Sequence, residues 1–126
     1  MRPHHLALTV RDLDKSLSFY TELLPFKQID RFTKPHWDGE AAVVSLDGFR
    51  LELFSWETVE GEVQKGVDLH RLGYNHFGIE VEDVREVYER LKDAGVTIQE
   101  PKSGTTCTSY CFLEDPDRNA IELYQR

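Results

Sequence analysis

Residues 5–13, HLALTVRDL, return as HFGIEVEDV at residues 76–84, an offset of 71 at every matched position. In each copy a histidine opens a run of alternating residues that ends at an aspartate, the pattern of a strand leading into a capped helix. The far ends repeat too. DGFRLEL (47–53) aligns with DRNAIEL (117–123) at an offset of 70, so His5 and Glu52 are 47 residues apart and His76 and Glu122 are 46 apart. A fixed-period repeat describes architecture first, one unit built twice.

Working outward, each half reads as strand, helix, then three strands. Residues 4 to 11 form the first strand, and Leu13, Leu17, Phe19, Tyr20, Leu23 and Leu24 mark a helical stripe from Asp12 to about Pro25. Strands follow at 26–32, 41–46 and 49–55, the last two joined by Asp47-Gly48, a strong hairpin signal. In the second half, strand 74–81 precedes a helix from Asp83 to Ala94 ended by Gly95, and strands follow near 96–99, 107–114 and 119–125, with a turn at Asp115–Asn119. The expected organisation is an α+β fold in one domain, 1–126: module 1 at about 1–55, a polar linker at 56–73 able to fold over a site, and module 2 at about 74–126.

A chain of 126 residues suits one domain with a real core. The net charge of −8 and the absence of a clustered basic face argue against nucleic acid. No apolar run approaches the roughly 20 residues of a membrane span and the N-terminus lacks a signal-peptide pattern, so the expectation is a soluble, cytoplasmic protein. Cys107 and Cys111, about 13 Å apart if the segment is extended, are too distant for a disulfide and read as reduced thiols.

Period-two alternation sorts the faces. His5, Ala7 and Thr9 oppose Leu6, Leu8 and Val10; Arg50, Glu52 and Phe54 oppose Leu51 and Leu53; His76, Gly78 and Glu80 oppose Phe77, Ile79 and Val81; Ala120, Glu122 and Tyr124 oppose Ile121 and Leu123. Each half therefore carries one imidazole and one carboxylate on the face away from its helix. Pairing the halves by pseudo-symmetry brings all four to one cavity. A lone strand histidine is more often structural than a ligand, but two repeated pairs on one face reverse that weighting. Imidazole with carboxylate suits Zn, Ni, Co, Mn or Fe(II) and, without thiolate, not a structural Cys-type zinc site.

These segments, together with LELF at 51–54 and DPDRNAIEL at 115–123, resemble the vicinal oxygen chelate superfamily, specifically its glyoxalase I-like branch, over nearly the whole chain. The resemblance implies paired βαβββ modules forming a cupped mixed sheet around a divalent metal, held by a His, Glu, His, Glu set that maps onto His5, Glu52, His76 and Glu122. It also implies a homodimer. Extradiol dioxygenases keep only two histidines and one carboxylate, and methylmalonyl-CoA epimerases usually place glutamine where Glu52 stands. The implied activity is a lyase or isomerase working through an enediolate on a small oxygenated substrate, with Glu122 as first choice of general base and Glu52 as second. The alternatives are a thiol transferase that inactivates an antibiotic and a non-catalytic bleomycin-type binding protein.

Thr9, Arg50, Phe54, Tyr110 and Phe112 are the candidate substrate contacts. Arg50 suits an anionic group, with a surface ion pair as its plainer role. Trp37 and Trp56 are candidates for the cavity mouth, Phe19 and Tyr20 for the core. His4 should point to the opposite face from His5 as surface or edge packing, and His36 and His70 should be solvated. Glutathione-dependent members typically carry an arginine and an asparagine where Thr9 and Trp56 stand. Losing an Arg–carboxylate contact removes about 1.5 to 3 kcal/mol, which disfavours the glutathione hemithioacetal as substrate. Arg118, at a usual glycine position, suggests a changed turn.

Overall fold

The computed structural model describes residues 1–62 and 66–126. Strand β1 (Leu6–Thr9) leads into helix α1 (Leu13–Ser18), which continues as a π-helical turn, Phe19–Leu23, before β2 (Lys27–Phe32), β3 (Gly39–Leu46) and β4 (Phe49–Trp56). The second half runs β5 (His76–Glu80), α2 (Val84–Asp93), β6 (Ser109–Glu114) and β7 (Ala120–Gln125). The chain divides into two compact units, Met1–Glu62 and Val63–Arg126. That division falls inside the expected linker, of which residues 63–65 lie outside the described residues and Trp56 belongs to β4 instead. Among the described residues no helix is long and apolar enough to cross a membrane.

Both helices start the same way. The Asp12 carboxylate accepts from Lys15 N at 3.1 Å and the Asp83 carboxylate from Glu86 N at 3.1 Å, each satisfying an otherwise orphaned amide. Leu24, just before Pro25, is extended at φ −108° and ψ 156°, as a residue ahead of proline should be. The helix therefore stops short of Pro25. Its last turn widens so that Leu24 N donates to Phe19 O at 3.2 Å, and Phe19 and Tyr20 are both buried.

In the first unit the strand order is β1-β4-β3-β2, with β1 parallel to β4 and the other pairs antiparallel. Asp47 and Gly48, at φ +47° and +83°, form the tight β3–β4 turn, both in the left-handed region that a two-residue hairpin of the primed kind requires. The second unit repeats the scheme as β5-β7-β6, with β5 parallel to β7. The strand expected near 96–99 is not regular. This segment lies along β6 through isolated pairings, Ile98 with Leu113 and Lys102 with Tyr110, and its register slips by one residue between them. Pro101, which has no N–H to give a ladder, sits in that interval. At the β6–β7 turn Asp115 accepts from Asp117 N and Asn119 N at 2.9 and 2.8 Å. Arg118 adopts φ +67°, in the left-handed region that favours glycine.

The alternation holds in both units. Leu51, Leu53, Val44 and Val10 are buried in the unit carrying α1, whose Leu13 and Leu17 are buried as well; Ile121, Leu123, Leu113 and Cys111 are buried in the unit carrying Val84, Tyr88 and Leu91 of α2. Each fully buried aliphatic side chain contributes about 1.5 to 3 kcal/mol. Cys107 and Cys111 are both free thiols.

Burial pushes the Cys111 thiol up from 9.0 to about 11. Between those values the unfolded chain loses this proton while the folded chain keeps it, so the contribution is full below pH 9 and lost as pH rises through about 11. Urea melts across this range should show wild-type stability falling more steeply than that of Cys111→Ala; parallel curves would place the thiol outside the core.

Candidate metal centre

The two parallel strand pairs position the site. Ala7 stands opposite Glu52 in the β1–β4 register, and Gly78 stands opposite Glu122 in β5–β7. His5 and His76 each lie two residues before the small residue, on the same face and diagonal to the glutamate. His5 Nε2 is 3.3 Å from Glu52 Oε2, and His76 Nε2 is 3.4 Å from Glu122 Oε2. The likeness is chemical as well as positional. Ala7 and Gly78 leave the space over the glutamate open: a Cβ added at Gly78 would meet Glu122 Oε2 at 3.6 Å, an ordinary contact.

Both imidazoles present Nε2 to their carboxylate because Nδ1 is occupied by the preceding residue. His76 Nδ1 is 2.9 Å from Asn75 Oδ1, and Asn75 Nδ2 donates to the Asp68 carbonyl at 2.5 Å. His5 Nδ1 is 2.8 Å from His4 Nδ1, and His4 Nε2 is 3.1 Å from Arg50 Nη1. His4 is exposed, as expected of a surface residue, and it is also a partner of His5. Sequence reasoning missed His4 and Asn75 in this role, although they too are related by the offset of 71. Arg50 faces an imidazole here, not a carboxylate.

The remaining candidates fall beside the pairs. On the first sheet, Phe54 stacks on Trp56 with centroids 6.1 Å apart at 11°, and Trp37 lies 5.0 Å from Trp56 and 5.9 Å from Phe32. Thr9 is exposed and stands opposite Phe54 in register. In the second unit the Phe112 ring meets His76 at 5.0 Å and Tyr110 at 5.9 Å. Tyr110 and Phe112, with Leu69, His70, Gln99 and Lys102, line a cavity of about 340 Å³. The His70 side chain itself is solvent-exposed, as expected.

Among the described residues no group of three or more His, Cys, Asp or Glu is close enough to hold a metal ion; the site residues come together as two pairs, each within its own unit. Each pair nevertheless has the chemistry of a half-site, one imidazole nitrogen and one carboxylate oxygen on a partly exposed sheet face. In the second, two hydrogen-bond acceptors face each other when neutral His76 carries its proton on Nδ1, toward Asn75 Oδ1. That arrangement suits a cation between them.

Residues 2–123 match the Glyoxalase/Bleomycin resistance protein/Dioxygenase superfamily. The chain belongs to that superfamily. Members similar to it include the lactoylglutathione lyase of Neisseria meningitidis, 34% identical with 100% of this chain and 91% of that protein covered, and that of Escherichia coli, 31% identical with 99% and 93% covered. Among solved structures, the trypanothione-dependent glyoxalase I of Leishmania major superposes with a TM-score of 0.78 at 27% identity, covering 99% of this chain and 86% of that one. The mixed α+β architecture described above is the glyoxalase fold.

Gly78→Ala should reproduce the Ala7 arrangement and melt at or above the wild-type temperature, because glycine weakens a strand interior by roughly 0.5 to 1 kcal/mol. Gly78→Val should instead push the Glu122 carboxylate off His76, visible in a crystal structure. A lower melting temperature for the alanine variant would show that the space over Glu122 is not free.

Proposed function

We propose that the protein is a metal-dependent, glyoxalase I-like lyase or isomerase acting on a small oxygenated substrate through an enediolate. The observation that carries this reading is the matched pair of contacts, His5–Glu52 at 3.3 Å and His76–Glu122 at 3.4 Å, in equivalent registers of two repeated units. His5, Glu52, His76 and Glu122 would hold a divalent ion among Zn, Ni, Co, Mn and Fe(II). Bound there, such an ion supplies Lewis-acid polarisation of a substrate's adjacent oxygens.

The chain's own residues account for the proton. Glu122 takes the proton from the hydroxyl-bearing carbon, the electron pair passes to the neighbouring carbonyl to form the enediolate, and the proton is returned to that neighbouring carbon while the hydroxyl proton moves to the former carbonyl oxygen, leaving the new carbonyl where the hydroxyl stood. Glu52 is the second choice for this base. Phe54, with Trp56 and Trp37, offers an apolar wall beside Glu52, and Tyr110 and Phe112 offer one beside His76. Two donors hold a metal weakly, so the reading includes a homodimer that brings pairs together, in the cytoplasm.

Elemental analysis should find one divalent transition metal per chain, lost in His5→Ala and in His76→Ala, and sedimentation at micromolar concentration should give a dimer whose melting temperature falls on chelation. Metal content unchanged in either variant would remove the ligand assignment.

In deuterated buffer, wild-type protein given an α-hydroxycarbonyl or hemithioacetal should exchange or transfer the carbon-bound hydrogen. Glu122→Gln should stay folded, keep part of its metal affinity and lose the exchange. Undiminished turnover in that variant would take the base role from Glu122. Thr9 and Trp56 predict poor turnover of the methylglyoxal–glutathione adduct; efficient turnover would overturn the substrate argument and leave the metal argument standing, because the two rest on different residues.

A further inference from the structure

The two His/Glu pairs match in distance but not in where the imidazole proton sits. A guanidinium only donates, so His4 Nε2, 3.1 Å from Arg50 Nη1, must accept. Neutral His4 then carries its proton on Nδ1 and donates it to His5 Nδ1 at 2.8 Å. Neutral His5 in turn carries its proton on Nε2, the nitrogen 3.3 Å from Glu52 Oε2. Both hydrogen bonds in the chain Arg50, His4, His5 pair a donor with an acceptor.

The second unit runs the other way. Asn75 Nδ2 is committed to the Asp68 carbonyl, which turns Oδ1 toward His76 and makes it the acceptor of an Nδ1–H bond at 2.9 Å. Neutral His76 therefore has its lone pair on Nε2, facing the acceptor Glu122 Oε2 at 3.4 Å. In one pair the imidazole proton sits on the nitrogen nearer the carboxylate; in the other that nitrogen keeps its lone pair free for a cation.

We propose that Arg50 and His4 are positioning residues that keep the His5 proton on Nε2, so that the first pair accepts a metal only when this relay reverses, while Asn75 keeps the second pair ready for one. The proposal rests on the metal-dependent reading above for its consequence, not for its geometry. Reversal conserves protons: that of His5 moves from Nε2 to Nδ1, that of His4 moves from Nδ1 to Nε2, and Arg50 loses its acceptor. The partner of a ligand histidine commonly sets its tautomer in this way.

Long-range proton–nitrogen correlation of the metal-free dimer or monomer, at alkaline pH where imidazoles are neutral, reads the tautomers directly. His5 should be the Nε2–H form and His76 the Nδ1–H form. His4→Asn, which gives His5 the partner that His76 has, should move His5 to Nδ1–H and tighten Zn²⁺ binding about ten-fold in competition with a chromophoric chelator. Arg50→Met should act in the same direction, since it frees His4 to accept. An Nδ1–H tautomer at His5 in the wild type, or no change of tautomer in either variant, would overturn the relay. If Zn²⁺ binds neither wild type nor variants, the metal reading fails, and the tautomers alone decide the proposal.

Discussion

The parallel pairing of the first and last strand of each unit is the constraint on which the rest depends. Parallel strands need a crossover, and a helix supplies it in both units, so one sheet face is committed to packing under apolar side chains. The opposite face is then the only place for polar residues that alternate with them. Because both parallel ladders set a small residue opposite the glutamate, the histidine two residues earlier falls diagonally beside it. His76 is placed within the β5–β7 ladder, while His5 immediately precedes β1 and continues its alternation, and the two distances of 3.3 and 3.4 Å come out alike.

What the sequence made legible was local or periodic. Asp12 and Asp83 announce themselves as caps because their short carboxylates reach an amide three residues on. Asp47-Gly48 announces a hairpin because few other dipeptides tolerate two consecutive left-handed residues. Face assignment followed from a period of two, and it separated buried Leu51 and Leu53 from partly exposed Glu52 without any knowledge of the tertiary fold. The imperfections arise where tertiary contacts decide. The irregular edge at residues 97–102 depends on how β6 is approached around Pro101, and the π-helical turn depends on Phe19 and Tyr20 both being buried. The role of His4 was missed for a related reason: strict alternation sends it away from His5, but both residues precede β1, where the ladder does not fix the side to which each points.

Repetition also hides differences. The offset of 71 aligns His4 with Asn75 as faithfully as it aligns His5 with His76, yet an imidazole and an amide impose opposite proton positions on the histidine that follows. An amide anchored on a carbonyl can only accept through its oxygen; an imidazole passes on whatever its other nitrogen meets, here the guanidinium of Arg50. Two half-sites with equal geometry can therefore differ in metal affinity. The difference lies in a side chain that touches neither carboxylate.

Recognition and chemistry separate along the same faces. Under the proposed function the four donors bear on proton abstraction, while the residues around them bear on which molecule is held. Trp56 stacks on Phe54 and contacts Trp37, so the place where glutathione-dependent members carry a polar contact is here part of an aromatic array two and four residues along the strand from Glu52. Aromatic rings offer area and a π-face but little to a carboxylate. With threonine at position 9 in place of an arginine, a contact worth about 1.5 to 3 kcal/mol is lost, and the aromatic surface at Trp56 in place of an asparagine adds apolar area, which together favour a substrate with a planar or apolar portion over an anionic peptide. Strand alternation makes this trade possible without disturbing the donors, because Glu52, Phe54 and Trp56 share a face while Leu51 and Leu53 of the same strand are buried on the other.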